Sequence, residues 1–283
     1  MIPALLAPAG DWLELLRLPF MQRALLAGLL SGGLGGLLGS VAVLRQLSFF
    51  SDALGHSALL GISLGLVLGV EPNLVLIPFA VLFALVVAQL VERSRLPSDA
   101  LLNIVYSSSL ATAVLVLRLA AGRGGSLEQL LFGDILAVSN RDVLVEGVLL
   151  VAVLLYLLLT RRSQILVSLD PGLAISQGVA VPWQRLLFVV VLAVVVALSI
   201  KAVGVLLVSA FVVIPACAAR LLAPDFNRYV LLASGLGAGC GVVGLLLSGL
   251  FNLPSGPCVV ILQLLVFLGA LLLSSRGSWR PSA

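Results

Sequence analysis

One carboxylate and one imidazole lie four residues apart in an otherwise apolar stretch of the sequence. The stretch, SFFSDALGHSALLGIS (48–63), contains Asp52 and His56, and His56 is the only histidine of the chain. On a helix, residues i and i+4 lie on one face, so both side chains can reach the same ion. A carboxylate with an imidazole suits a divalent transition metal such as zinc or manganese. The pair is therefore a candidate set of metal ligands.

A structural role for the same pair is the alternative. Asp52 could cap a helix that begins near Ser51, and His56 could form a hydrogen bond to a neighbouring helix. Two groups do not complete a coordination shell, whereas ionisable residues at membrane depth are usually functional. The residue types alone leave both roles open.

The helix that positions this pair belongs to a membrane protein. The chain has 283 residues, of which 61% are hydrophobic and 10% charged, and its mean hydropathy is +1.24. Apolar runs of about 20 residues recur, each long enough to cross a bilayer as a helix, whereas a barrel would show short alternating strands. We expect an all-α integral membrane protein.

The basic residues are scattered, so the net charge of +4 gives no indication of nucleic-acid binding.

The apolar runs predict eight or nine membrane spans. The region 185–222 leaves the number open, because SIKAVGVLL allows only a tight turn between two helices. The nine candidate spans are 23–44, 50–70, 73–91, 100–119, 142–160, 185–201, 203–222, 229–250 and 258–274.

The basic residues predict the orientation of these spans. With the amino terminus outside, ten of the sixteen basic residues fall on the inner face, as the positive-inside rule favours. This orientation places Asp52 near the inner end of its span.

The first 20 residues (1–20) lack the basic start and cleavage site of a signal peptide. We expect them to form an amphipathic helix at the membrane surface.

Small residues in two of the spans predict close helix packing. Gly28, Gly32, Gly36 and Ser40 recur at four-residue spacing, which lets two helix backbones approach closely. A second span contains SGLGAGCGVVG (234–244). The first glycine run lacks the G-K-[ST] ending of a phosphate-binding loop. If ATP is used, another protein must therefore bind it.

Other polar residues within the spans are candidates for lining a pathway. Asn103, Tyr106 and Ser107 occur in one span. The zinc-protease motif H-E-x-x-H does not accompany them, because it needs two histidines and the chain has one.

Two segments on the predicted inner face carry helix signals. The segment 167–185 contains Asp170–Pro171, a typical helix start, and the segment 212–229 is expected to leave the membrane through Pro215. Either segment could dock onto a cytosolic partner or could simply turn the chain around.

Five stretches in this order resemble the membrane permease subunit of the bacterial metal-ion ABC transporters, the zinc/manganese/iron family. The resemblance covers about residues 20–275. The stretches are SDALGHSALLG (51–61), LFGDILAVSNRDV (131–143), LDPGLAISQGV (169–179), AVGVLLVSAFVVIPACAARLLA (202–223) and LPSGPCVVIL (253–262).

The resemblance implies a single transmembrane permease domain over 1–283, with a bundle similar to the vitamin and siderophore ABC importer permeases. It implies a homodimer in a bacterial cytoplasmic membrane, with a separate cytosolic ATP-binding subunit and an extracytoplasmic metal-binding protein. The transported ion would be Zn²⁺ or Mn²⁺, with Fe²⁺ as a third candidate, and no cofactor would be permanently bound.

The resemblance also implies roles for individual residues. Asp52 and His56 would hold the metal in the pathway, and a second copy of the pair across a two-fold axis would complete four ligands. Within 212–229 and 167–185, the expected contacts with the ATPase are Pro215, Ala219, Arg220, Asp170, Ala174 and Gly178. The alternatives are an ABC permease for a metal chelate or a vitamin, and a proton-coupled secondary transporter.

Overall fold

The computed structural model of the chain describes residues 17–70, 72–94, 96–119, 135 and 138–277. These residues form ten α-helices and no strand. In chain order the helices are α1 (Pro19–Leu44), α2 (Ser48–Leu68), α3 (Pro72–Arg93), α4 (Ser98–Leu119), α5 (Asn140–Leu169), α6 (Pro171–Ser176), α7 (Val181–Val203), α8 (Val205–Leu222), α9 (Phe226–Phe251) and α10 (Ser255–Gly277). Most of the predicted surface helix 1–20, and residues 131–134, 136 and 137 of the stretch 131–143, lie outside the described residues.

Every helix except α6 is long and apolar enough to cross a membrane, which gives nine candidate spans within the described residues. The expectation of an all-α membrane protein is confirmed, and the higher of the two predicted span numbers is the one observed. The separation of α7 from α8 depends on one residue. Gly204 has a φ of +83°, a backbone conformation that glycine adopts without the steric cost other residues meet.

Helix α5 is longer than predicted. The sequence predicts a span over 142–160, but the helix continues through Arg161 and Arg162 to Leu169. Arginine is a good helix former, so the helix does not have to stop where the apolar run stops. The 30 residues of α5 exceed the roughly 20 that a bilayer requires, so its last turns extend beyond the apolar segment.

The segment 212–229 contains the end of one helix, a short connection and the start of the next helix. Helix α8 continues through Pro215 to Leu222, and α9 begins at Phe226, so only three residues connect the two helices. Proline is tolerated inside membrane helices because neighbouring groups can satisfy the backbone carbonyl that it frees. Pro215 therefore does not end the helix, and the exit of the chain from the membrane at this residue stays a prediction.

The chain divides into two compact units. The first contains α1 up to Val43, α5 up to Ala152, α8 from Ala210, and all of α9 and α10. The second contains α2, α3, α4, the remainder of α5, α6, α7 and the start of α8.

In the first unit, α1 and α9 pack through their small residues. A Cβ atom on Gly32 would clash with the carbonyl oxygen of Gly237, and one on Gly36 would clash with the carbonyl oxygen of Ala233. Ser234 also donates a hydrogen bond across this contact to the carbonyl oxygen of Gly33, at 3.3 Å. The predicted close approach of two helices with small residues is thus confirmed.

In the second unit, α2 lies against α3, α4 and α7. Phe50 in the first turn of α2 is fully buried, and its ring centroid lies 5.8 Å from that of Phe83 in α3. These contacts fix the helix that carries Asp52 and His56.

Candidate metal site

Asp52 lies inside α2 and does not cap it. The helix begins at Ser48, one turn earlier than the Ser51 start that a capping aspartate would require. The residue before the helix, Leu47, forms no side-chain capping bond. The capping role for Asp52 is therefore wrong, and its carboxylate is not used to satisfy a helix end.

The two candidate ligands face each other across one helical turn. Nδ1 of His56 lies 3.5 Å from Oδ1 of Asp52 and 3.1 Å from the carbonyl oxygen of Asp52. Two ligand atoms bonded at about 2.1 Å to one tetrahedral ion lie about 3.4 Å apart. The separation of Nδ1 and Oδ1 is close to this spacing. The carbonyl oxygen of Asp52 only accepts, so Nδ1 could bind an ion only when it does not donate to that carbonyl.

The pair faces outward from this chain. The side chain of His56 is 22% exposed and that of Asp52 is 36% exposed. A carboxylate is expensive to bury without a partner, and here it does not enter the hydrophobic core. Both side chains are therefore partly accessible at the surface of this chain.

Tyr106 in α4 is the neighbour that contacts the histidine. The rings of His56 and Tyr106 meet at 89° with centroids 5.1 Å apart. Phe49, one turn before Asp52 in sequence, also contacts Tyr106, with the two ring centroids 6.1 Å apart. The structure thus brings Tyr106 to the candidate ligands.

Asn103 and Ser107 lie on the same helix but form no hydrogen bond to the pair within the described residues. Both side chains are exposed, and the Ser107 hydroxyl donates to Oδ1 of Asn103 at 3.5 Å. Ser108 and Thr112 extend this polar surface along α4, each donating to a backbone carbonyl one turn earlier, at 2.7 Å. An apolar membrane span with an exposed polar face needs water or another protein against that face.

One copy of the chain supplies an incomplete coordination shell. Among the residues that the structure describes, no group of three or more His, Cys, Asp or Glu side chains could hold a metal ion. A structural zinc site takes four protein ligands, and a catalytic one takes three. Asp52 and His56 therefore require donors from elsewhere to hold an ion firmly.

The segment around Asp170 folds as its sequence predicts. Oδ1 of Asp170 accepts hydrogen bonds from the backbone N–H groups of Gly172, at 2.7 Å, and Leu173, at 3.3 Å, which starts α6. Ala174 is fully buried in a small core with Val167 and Val181. Gly178 follows the helix with a φ of +79°.

The other predicted contact residues lie in or at the end of α8. Pro215 is in the middle of the helix, Ala219 is fully buried, and Arg220 in the last turn is exposed. Of these three, only Arg220 offers its side chain to a partner in this structure.

The surface of α6 is unusually apolar for a helix between two spans. Leu173 is 47% exposed and Ile175 is 63% exposed. Leu169 before the helix and Trp183 after it are also exposed. Clustered exposed apolar side chains of this kind mark a contact with a protein or with lipid.

Sequence reasoning missed the surroundings of the α1–α2 turn. Nη2 of Arg45 donates to Oε1 of Gln164 at 2.6 Å, and Nε donates to the hydroxyl of Ser168 at 3.3 Å. The Arg45 guanidinium also lies 4.9 Å from the ring centre of Phe188. More than a hundred residues separate Arg45 from its partners in sequence, so no local pattern indicates the contact.

Within the described part of the chain, the nine apolar helices indicate a multi-pass membrane protein. The chain belongs to the ABC 3 transport family, whose family model matches residues 17–274. The resemblance seen in the sequence is therefore confirmed.

Two curated relatives are similar over nearly their full length. The manganese import system permease protein ScaB of Streptococcus gordonii is 32% identical over 249 residues, which is 88% of this chain and 89% of the relative. The high-affinity zinc uptake system membrane protein ZnuB of Haemophilus influenzae is 31% identical, over 89% of this chain and 97% of the relative.

Two solved structures share the fold. One is PsaBC from Streptococcus pneumoniae in complex with Fab, with a TM-score of 0.81 and 28% identity over 93% of this chain and 95% of the other. The second is an inward-facing conformation of a putative metal-chelate type ABC transporter, with a TM-score of 0.73 and 16% identity over 96% of this chain and 90% of the other. Because the second structure is only 16% identical to this chain, it is evidence for a shared fold and for nothing further.

Proposed function

We propose that this chain is the membrane permease subunit of an ATP-driven importer of divalent metal ions, with manganese and zinc as the principal cargoes and iron as a third candidate. The observation that carries the proposal is the Asp52–His56 pair, whose Nδ1 and Oδ1 atoms are 3.5 Å apart on the exposed face of α2. The relatives named for manganese and zinc transport support the choice of ions.

The pathway is formed by a homodimer. One chain offers two ligand side chains, and a second copy across a two-fold axis offers two more, which makes the four that a tetrahedral site needs. The exposed polar face of α4 supports this arrangement, because a facing copy or an aqueous pathway would remove its contact with lipid. Asn103 and Ser107 line that pathway, and Tyr106 supports the histidine.

The ion is held transiently. Manganese and zinc both bind carboxylate and imidazole, and most open sites prefer zinc. Selection between them therefore falls to an extracytoplasmic metal-binding protein that delivers the ion. Binding in the pathway must remain moderate, because an ion held too tightly cannot leave.

A separate cytosolic subunit hydrolyses ATP. Two surfaces on the predicted inner face contact it. One is α6, whose fold depends on Asp170, Ala174 and Gly178. The other is the end of α8, where Arg220 is exposed and Pro215 and Ala219 are buried in the same helix. Asp170 and Ala174 fix the shape of α6, whose exposed Leu173 and Ile175 form the contact surface. Closure of the ATPase moves these surfaces and opens one end of the pathway. The complex resides in a bacterial cytoplasmic membrane.

The test is uptake of radioactive manganese and zinc by liposomes that contain the chain, its ATPase and its binding protein. The proposal expects accumulation that requires ATP and that unlabelled free metal competes away. An imposed pH gradient that drives uptake without ATP would instead indicate a proton-coupled transporter. Competition by an iron chelate or a vitamin, with none by free metal, would indicate the large-cargo alternative.

A further inference from the structure

The end of the second unit on the predicted inner face contains a pocket of about 300 Å³. The α1–α2 turn, the last turns of α3 and α5, and the first residues of α4, α6 and α7 surround it. Because consecutive spans alternate in direction, all these helix ends lie on one side of the membrane. The volume is at the lower end of the range for small-molecule sites, about 300–1,000 Å³. Its lining is distinct from the Asp52–His56 site.

The deeper lining of this pocket is apolar. Phe50 and Val87 are buried core residues that contribute to it, and Val91, Leu186 and Val189 extend the same surface. Such a surface favours a hydrocarbon group over water. A fully hydrated ion or a free phosphate would leave this part of the pocket without a suitable contact.

The rim of the pocket carries two guanidinium groups. Arg45 is half-buried, and its hydrogen-bond partners, Gln164 and Ser168, are both uncharged. Its Nη1 atom is buried and has no hydrogen-bond partner within the described part of the chain. Arg185, at the exposed edge, lines the same pocket. The guanidinium groups of Arg45 and Arg185 therefore line the same pocket.

The electrostatics of the rim favour an anion. Burial lowers the pKa of Arg45 to about 10, an effect that Tyr156 opposes and the nearby Arg185 adds to, so Arg45 remains charged at neutral pH. Glu92 is the carboxylate that lines the pocket. Among the residues that the structure describes, neither guanidinium forms an ion pair with a carboxylate. An anion bound in the pocket, in addition to the Glu92 carboxylate, would compensate the buried charge of Arg45.

We propose that this pocket binds an anionic phospholipid of the inner leaflet. The phosphate accepts hydrogen bonds from the exposed Arg185 and lies near the charge of Arg45, and the start of an acyl chain covers the half-buried side chains of Val91 and Leu186. The pocket lies at the ends of membrane helices, which is the depth of the lipid headgroups. Basic pockets between transmembrane helices on the cytoplasmic side are typical headgroup sites.

The lipid would stabilise the start of α2. Arg45 lies in the turn before this helix, and Phe50 belongs to its first turn. Asp52 follows Phe50 by two residues. The proposal concerns binding and does not depend on which cargo the chain transports.

The test measures lipid binding to the purified full-length chain in detergent, by native mass spectrometry and by the thermal unfolding midpoint. The probes are phosphatidylglycerol, phosphatidylcholine with the same acyl chains, and inorganic phosphate. We expect phosphatidylglycerol to be retained and to raise the midpoint, and the other two to do neither. Equal effects of the two lipids, or an equal effect of inorganic phosphate, would overturn the proposal.

Two variants locate the binding. Arg185→Gln should weaken phosphatidylglycerol binding about fivefold, the change expected for one basic side chain near the headgroup. Arg93→Gln is the matched control, because Arg93 ends α3 on the same face but does not line the pocket. Val91→Phe, which fills the apolar part, should also reduce binding while both guanidinium groups remain. An equal loss in Arg93→Gln, or full binding in both pocket variants, would contradict the assignment.

Discussion

The imidazole of His56 meets the phenol ring of Tyr106 at 89°, with ring centroids 5.1 Å apart. This contact joins α2 to α4 and limits the directions in which the imidazole can point. Nδ1 of His56 is thereby kept near Asp52, at 3.5 Å from its carboxylate oxygen. Tyr106 is a positioning residue in this arrangement, because it acts on the ion through the histidine.

Replacing Tyr106 by alanine should raise the KM for metal uptake about twofold to tenfold, because an aromatic pair contributes about 0.5–1.5 kcal/mol. Tyr106→Phe keeps the ring and should leave the KM unchanged. Initial rates of uptake over a range of metal concentrations give the KM of each variant. If phenylalanine is as harmful as alanine, the hydroxyl group matters and the positioning role is wrong.

The contact between α1 and α9 depends on the absence of side chains. Gly237→Ala places a methyl group against the backbone of Gly32, and such overpacking costs about 1–3 kcal/mol. The thermal midpoint of the purified protein should therefore fall.

The matched control for this change is Gly239→Ala on the same helix. A Cβ at Gly239 meets no atom within 4 Å, and alanine is the better helix former by up to about 1 kcal/mol. Its midpoint should be unchanged or slightly raised. Equal losses in both variants would indicate that backbone flexibility of α9, and not its contact with α1, is important.

The exposed apolar surface of α6 predicts where the ATPase docks. Ile175→Asp should weaken co-purification of the ATPase about tenfold, which is the effect of losing one central apolar contact. The fold should persist, because the side chain is 63% exposed.

Leu253→Asp is the control for Ile175→Asp. Leu253 is 48% exposed and lies in the connection between α9 and α10, which is on the predicted outer face. The Leu253→Asp variant should therefore still co-purify with the ATPase. If Ile175→Asp retains the ATPase as well as Leu253→Asp does, α6 is not a docking surface.

The features that the sequence predicts well are local ones. Apolar runs of sufficient length predict eight or nine spans, and the start of α6 follows from the adjacent Asp170 and Pro171. The glycine spacing in α1 predicts a close helix contact, although it does not identify the partner. In each case the information lies within a few turns of one helix.

The sequence does not predict contacts between residues that are far apart in the chain. The partners of Arg45 come from the far end of α5, and the contact of His56 with Tyr106 joins two separate helices. Residue spacing within one helix indicates a shared face, but not which neighbour covers it.

The central claim is that Asp52 and His56 bind the transported ion, and the most direct test compares uptake by single variants. ATP-dependent uptake of radioactive manganese and zinc would be measured for Asp52→Ala, for His56→Ala and for Asp99→Ala, which removes an exposed carboxylate from the first turn of α4. We predict that uptake falls to background in the first two variants and persists in the third, while all three still assemble with the ATPase. Normal transport by Asp52→Ala and His56→Ala would contradict the claim and direct the search for the pathway to the polar face of α4.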